Sequence, residues 1–200
     1  MKKQIIAVDL DDVLAANAEG FINFSNKRWG TKLTAKDFQE DLEKLWGIEH
    51  DEAQRRFATF AETDSVKKYA CLEDAKPVLE KLTEKYTLVI ATSRRNSLKN
   101  ATAEWLELHF DGIFQEVHHS GFFDTTDRQG HLLNKAELCR FIEADYLIDD
   151  HLKHCRATAQ VGIKSLLFGN YSWNKAGVLP PGVTRVADWP AVLDYFNDQS

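Results

Sequence analysis

The 200-residue chain has only three cysteines, Cys71, Cys139 and Cys155. None share the C-x-x-C spacing of a structural zinc site, and an odd number closes no disulfide framework, so a reducing, cytoplasmic setting is expected. No apolar run approaches the roughly 20 residues that span a bilayer. The N-terminal apolar run is cut at Asp9, too short for a signal peptide. Basic residues are outnumbered, 25 Lys and Arg against 31 Asp and Glu, for a formal charge of -6. Such a balance is unsuited to holding long nucleic acid, which needs a basic surface. A small phosphorylated substrate stays open, because a metal can supply local positive charge. Neither G-x-S-x-G nor G-x-x-x-x-G-K-[ST] occurs, so serine-hydrolase and P-loop chemistry lack their motifs. What remains is a chain with 44% hydrophobic residues, long enough for a substantial core in one domain or in one domain plus a small insertion.

The clearest stretch runs from Ile5 to Leu14, I-I-A-V-D-L-D-D-V-L. A short apolar run that stops abruptly suits a strand buried on both faces. Carboxylates at the C-terminal end of such a strand sit where open α/β sheets bind ligands. Two like charges about 4 Å apart repel by roughly 4 kcal/mol at an effective dielectric near 20, so Asp9, Asp11 and Asp12 call for a cation or a proton. A hard, oxygen-seeking ion such as Mg²⁺ meets that need. Turn formation or helix capping is the competing explanation for an Asp cluster.

Farther along, Leu14, Ala18, Phe21, Ile22, Ser25 and Trp29 recur at helical spacing before Gly30. Thr34 with Asp37 resembles a capping box ahead of Phe38, Leu42, Leu45 and Trp46. Ala53, Phe57, Phe60 and Ala61 mark a third helical segment, so residues 17–70 form a helical block whose aromatics pack against one another. From Asp74 the pattern alternates. Strands are expected at 86–91, about 113–117, 146–148 and 164–168, with helices between them, one tolerating Pro77 in its first turn and one capped by Asn134. A polar loop covers 120–130, and Pro180-Pro181-Gly182 precedes a last helix from about Trp189. Alternating strands and helices predict an α/β fold with a parallel sheet flanked by helices.

Three apolar strands end in polar clusters: Asp9/Asp11/Asp12, Thr92/Ser93/Arg94 and Asp149/Asp150. In a parallel sheet all three emerge at one edge and make a pocket suited to a phosphate monoester and a divalent ion. The order Asp9-Leu10-Asp11, Thr92, Lys135, Asp149-Asp150 resembles the haloacid dehalogenase (HAD) superfamily of aspartate-nucleophile phosphotransferases. Within it the chain is most similar to the 5′(3′)-deoxyribonucleotidase family, through D-L-D-D-V-L-A, A-T-S-R and L-I-D-D. It departs from that family in having Asp12 where Gly is usual, Asn17 where a base-stacking aromatic is expected, and Arg94 where Pro often follows Thr-Ser.

The resemblance implies a Rossmann-like core of residues 1–16 and 71–200, with residues 17–70 as a helical cap. It implies a Mg²⁺-dependent phosphomonoesterase for a small phosphorylated substrate, a nucleoside monophosphate first of all. Asp9 would attack phosphorus and Asp11 would act as acid and base. Asp9, the backbone of Asp11, Asp149 and Asp150 would hold the metal. Thr92, Ser93, Arg94 and Lys135 would contact phosphate, with Lys135 also orienting Asp9. Read alone, Lys135 is a solvated first-turn lysine and Thr92 a strand-end hydroxyl. Asp12 has no assigned role. His118-His119 and His151-x-x-His154 provide no closed ligand set, and His151 is expected at the surface or rim. Other small phosphorylated metabolites, a polynucleotide 3′ end, or a catalytically idle binding protein are the alternatives, and a homodimer is possible through the aromatic cap.

Overall fold

The computed structural model describes residues 3–120 and 134–199. Among them β1 (Ile5–Val8), β2 (Thr87–Thr92), β3 (Glu116–His119), β4 (Tyr146–Asp149), β5 (Lys164–Phe168) and β6 (Val183–Val186) pair in parallel, in the order β3-β2-β1-β4-β5-β6. Ile6, Ala7 and Val8 of the central strand are fully buried, each larger side chain contributing about 1.5–3 kcal/mol. The two-residue period of a strand divides the core. Ile6, Val8, Leu88, Ile90, Ile148 and Leu166 face one layer, while Ala7, Val89, Ala91 and Leu147 face the other.

Eight helices complete the described fold: α1 (Asn17–Trp29), α2 (Leu42–Trp46), α3 (His50–Ala61), α4 (Ala75–Thr83), α5 (Lys99–Phe110), α6 (Lys135–Phe141), α7 (Leu152–Gln160) and α8 (Trp189–Asn197). The first three lie between β1 and α4 in the chain. Phe21 packs against Trp46, Phe60 and Phe38 with ring centroids 5.6, 4.8 and 6.1 Å away. At the base of this helical segment the chain passes out and back side by side. The Ala16 N–H donates to the Ala70 carbonyl (2.9 Å) and the Leu72 N–H to that of Leu14 (2.8 Å).

Local details differ from the sequence-based expectation. The strand expected at 113–117 lies at 116–119. Ile113 instead closes a turn after α5, its N–H on the Phe110 carbonyl (3.1 Å), so its apolar character serves packing rather than pairing. Strand β6 was not expected. Four residues after Pro-Pro-Gly carry too little pattern, and pairing with β5 makes them a strand. The Thr34–Asp37 capping box exists, yet it closes only a 3₁₀ turn at Ala35–Asp37. Phe38 is extended, and Asp41 starts the next helix by accepting the Lys44 N–H (3.2 Å). The polar loop beyond Ser120 lies outside the described residues.

Gly20 is required by close approach: a Cβ there would stand 2.3 Å from Cε1 of the buried Tyr69 ring. Gly20→Ala should lower stability by about 1–2 kcal/mol in urea unfolding, the overpacking outweighing the gain in helix propensity. Unchanged stability would refute this contact.

Candidate active site

The C-terminal ends of β1, β2 and β4 bring the expected clusters to one edge of the sheet. Lys135 reaches them from the first turn of α6. A capping box fixes that turn: the Asn134 side chain accepts the Glu137 N–H (3.0 Å), and the Glu137 carboxylate accepts the Asn134 N–H (2.9 Å). The lysine is 3% exposed. Its Nζ donates to Asp9 Oδ1 (2.7 Å) and the Ala91 carbonyl (2.6 Å), and pairs with Asp149 Oδ2 at 3.2 Å. Lys135 is thus a buried counter-ion, where local pattern alone reads a solvated lysine.

Burial pushes the Asp9 carboxyl up to about 6, against the pull of Lys135. For Asp149 burial also acts upward, but His154 and Lys135 beside it hold the group well below the usual carboxylate range. The Asp149 carboxylate accepts the His151 N–H (2.8 Å) and lies 3.1 Å from His154 Nδ1. Burial, then Asp149 and Asp9, raise Asp150 well above its ordinary value. Asp150 accepts the Trp173 Nε1–H (2.6 Å), while Asn174 Nδ2 donates to its carbonyl (3.0 Å).

One ligand atom each from Asp9, Asp149 and Asp150 lies within 4.8 Å of the others. Three buried hard-oxygen donors whose mutual repulsion Lys135 only partly offsets fit a divalent cation such as Mg²⁺. The Asp11 carboxylate stands apart, turned to Arg94. Thr92 is buried at the end of β2, its hydroxyl accepting the Arg94 N–H (3.1 Å), which leaves its own hydrogen to donate. Ser93 lines the same cavity.

Asp12 acquires a structural role. Its φ of 56° is in the left-handed region that Gly takes freely and Asp tolerates. Its carboxylate accepts the Ala18 N–H at the start of α1 (3.0 and 3.2 Å). Asp at this position therefore takes up a left-handed backbone and adds a cap. Burial raises this carboxyl to about 7, against the Ala18 hydrogen bond.

Above the carboxylates, Asn17, Phe21, Phe38, Phe57 and Phe60 line the cavity. An aromatic therefore stands one helical turn beyond Asn17. Arg95 lies over the Phe57 ring at 4.2 Å and donates to Gln54 (3.1 Å), joining the β2 loop to α3. His151, expected at the surface or rim, lines the cavity and approaches Glu40 (3.5 Å) and Asp150 (3.6 Å). Glu40 also pairs with Lys153.

Sequence reasoning missed Glu40, Trp173 and Asn174, and set His154 aside as part of no closed ligand set. The spacing of His151 and His154, three apart at the start of a helix, could have placed both on one side of α7. Nothing local marks Trp173 and Asn174, which return through the turn after β5.

A family model described as 5′ nucleotidase, deoxy (pyrimidine), cytosolic type C protein matches residues 3–196. The Bacillus subtilis (strain 168) protein named "Putative nucleotidase YqfW" is 24% identical over 198 residues, spanning 96% of this chain and 93% of that protein. Among solved structures, the haloacid dehalogenase-like hydrolase SP0104 from Streptococcus pneumoniae superimposes with a TM-score of 0.72 at 18% identity, over 97% of this chain and 98% of that one. The "putative HAD-hydrolase YfnB from Bacillus subtilis bound to magnesium" does so at 0.64 and 14% identity, over 98% and 100%. At these identities the structural likeness is one of fold, and that fold is the α/β HAD type.

Two outcomes follow from the electrostatics. Lys135→Met leaves buried carboxylates without their counter-ion and should cost about 3–5 kcal/mol in urea unfolding; a loss under 1 kcal/mol would contradict the buried pairing. Asp12, raised in the folded chain, contributes stability that is full below its unfolded value near 3.8 and lost as pH rises through about 7. Asp12→Asn removes that titration. The variant's stability relative to wild type should therefore improve from pH 5 to pH 8, and a constant difference would exclude the shift.

Proposed function

The chain belongs to the 5′ nucleotidase, deoxy (pyrimidine), cytosolic type C family and is a phosphomonoester hydrolase of HAD fold, and we propose that it dephosphorylates nucleoside monophosphates through an aspartyl-phosphate on Asp9. The observation that carries this reading is Asp9 itself, held by Lys135 in a cavity walled by Phe21, Phe38, Phe57 and Phe60. A flat base suits such a wall better than a sugar phosphate does, because aromatic faces favour stacking. Residues 17–70 act as the cap that supplies this wall, over a core of 1–16 and 71–200.

In the first half-reaction Asp9 attacks phosphorus while the ester oxygen leaves with a proton from Asp11. In the second, Asp11 takes a proton from water, whose oxygen attacks phosphorus and releases inorganic phosphate and free Asp9. Lys135 keeps Asp9 oriented and offsets charge beside the phosphoryl group. The Thr92 hydroxyl, with Ser93, offers a hydrogen bond to a phosphoryl oxygen. Asp9, Asp149, Asp150 and the backbone of Asp11 would hold Mg²⁺, which would supply charge neutralisation for the phosphate. The magnesium carried by YfnB supports the choice of ion.

Phosphate release should require Mg²⁺, stop on chelation and fall to background in Asp9→Asn. Asp11→Asn should lose about 10²–10⁴-fold in kcat on nucleotides. In a panel of nucleoside monophosphates and sugar phosphates, the nucleotides should show the higher kcat/KM. Dominant sugar phosphates would overturn the substrate, equal activity of Asp9→Asn the mechanism, and inertness toward every phosphate would mark a binding protein.

A further inference from the structure

Arg94 is 6% exposed, and its guanidinium is committed to neighbours on three sides. Nε donates to both oxygens of Asp11 (3.0 and 2.9 Å) and Nη2 to Oδ1 (2.5 Å), a forked pairing. Nη1 donates to the hydroxyl of Thr102, fully buried on α5 (3.1 Å). The Tyr69 ring lies against the guanidinium carbon at 5.8 Å. Asp11, by contrast, keeps 27% of its side chain exposed. The fixed partner in this pair is the arginine, and the partner that needs fixing is the carboxylate.

A guanidinium fork defines both distance and plane for a carboxylate, which a single lysine or a water cannot do. Burial against Thr102 and Tyr69 removes the arginine's own freedom, so the orientation reaches Asp11 from α5. An arginine recruited to phosphate would present its paired N–H edge to the substrate; here the Nε–Nη2 edge is taken by Asp11, and Nη1 donates to Thr102.

We propose that Arg94 is a positioning residue that aims the Asp11 carboxyl at the ester oxygen, and is not a phosphate ligand. The inference rests on the acid–base role assigned to Asp11 above. As the Asp9–phosphorus bond forms and the phosphorus–ester bond breaks, the leaving oxygen takes the proton from Asp11. Asp11 is then a carboxylate facing the Arg94 fork until water returns a proton to it.

Leaving-group dependence tests this. p-Nitrophenolate departs without a proton, whereas the alkoxide of a nucleoside monophosphate needs one. In single turnovers with enzyme in excess, which read the first half-reaction alone, Arg94→Met should slow release of the nucleoside on the order of 10²-fold while slowing release of p-nitrophenolate less than about threefold, with inhibition by inorganic phosphate unmoved. Arg94→Lys should recover part of the loss. In an Asp11→Asn background, Arg94→Met should add nothing further on the nucleotide. Equal losses on both substrates, with weaker inhibition by inorganic phosphate, would show a phosphate ligand and overturn the proposal. Should Arg94→Met unfold, Thr102→Val decides. It should give a smaller loss with the same selectivity for the nucleotide, and a uniform loss or none overturns the inference. Wild type inert toward both substrates would instead sink the phosphatase reading on which it stands.

Discussion

A buried ammonium group among buried carboxylates is the constraint on which this structure depends. Lys135 touches Asp9, Asp149 and the Ala91 carbonyl at once, and so ties α6 to the ends of β1, β2 and β4. Without it, the carboxylates of the neighbouring central strands would face one another in a low-dielectric site, where an uncompensated buried charge is strongly destabilising. The strands themselves are among the most thoroughly buried parts of the chain. Fold and site therefore share one arrangement: the apolar sheet that stabilises the protein also concentrates charge at its edge.

Around that centre the functional groups are braced by residues with no chemistry of their own. Trp173 and Asn174 hold Asp150, the His151 amide holds Asp149, and Tyr171 donates to the Asp12 carbonyl (2.7 Å) while stacking on Trp173. Arg94 does the same for Asp11 from the α5 side. Preorganisation by such partners keeps a catalytic geometry from being lost to side-chain rotation. Glu40 and Arg95 extend the bracing across the cavity, linking the helical segment to the α/β layers through His151, Lys153 and Phe57.

Much of the architecture was legible in the chain. The abrupt change from I-I-A-V to Asp9, Y-T-L-V-I-A to Thr92, and Y-L-I to Asp149 marks three central strands and their ends, because a strand buried on both faces is nearly continuous in apolar residues up to the sheet edge. Edge elements were harder. Strand β6 and the shifted β3 carry short, half-polar patterns and owe their assignment to a neighbour. The Thr34–Asp37 box shows the limit of a local signal, since a cap specifies a start and not how long a helix continues.

For this protein the sequence by itself determined the order of the central elements, the family and the residues that gather at the sheet edge, because periodicity and motif order are properties of the chain. Only the tertiary structure decided what those residues do to one another. It turned Lys135 from a first-turn lysine into a buried counter-ion, gave Asp12 the backbone of a glycine and the duty of a helix cap, and set Arg94 on Asp11. It also brought in His154, five residues past the Asp149 it supports, and Glu40 and Trp173, distant in sequence from theirs. Burial, partner and direction are set by packing across strands and helices, and no spacing along a chain encodes them.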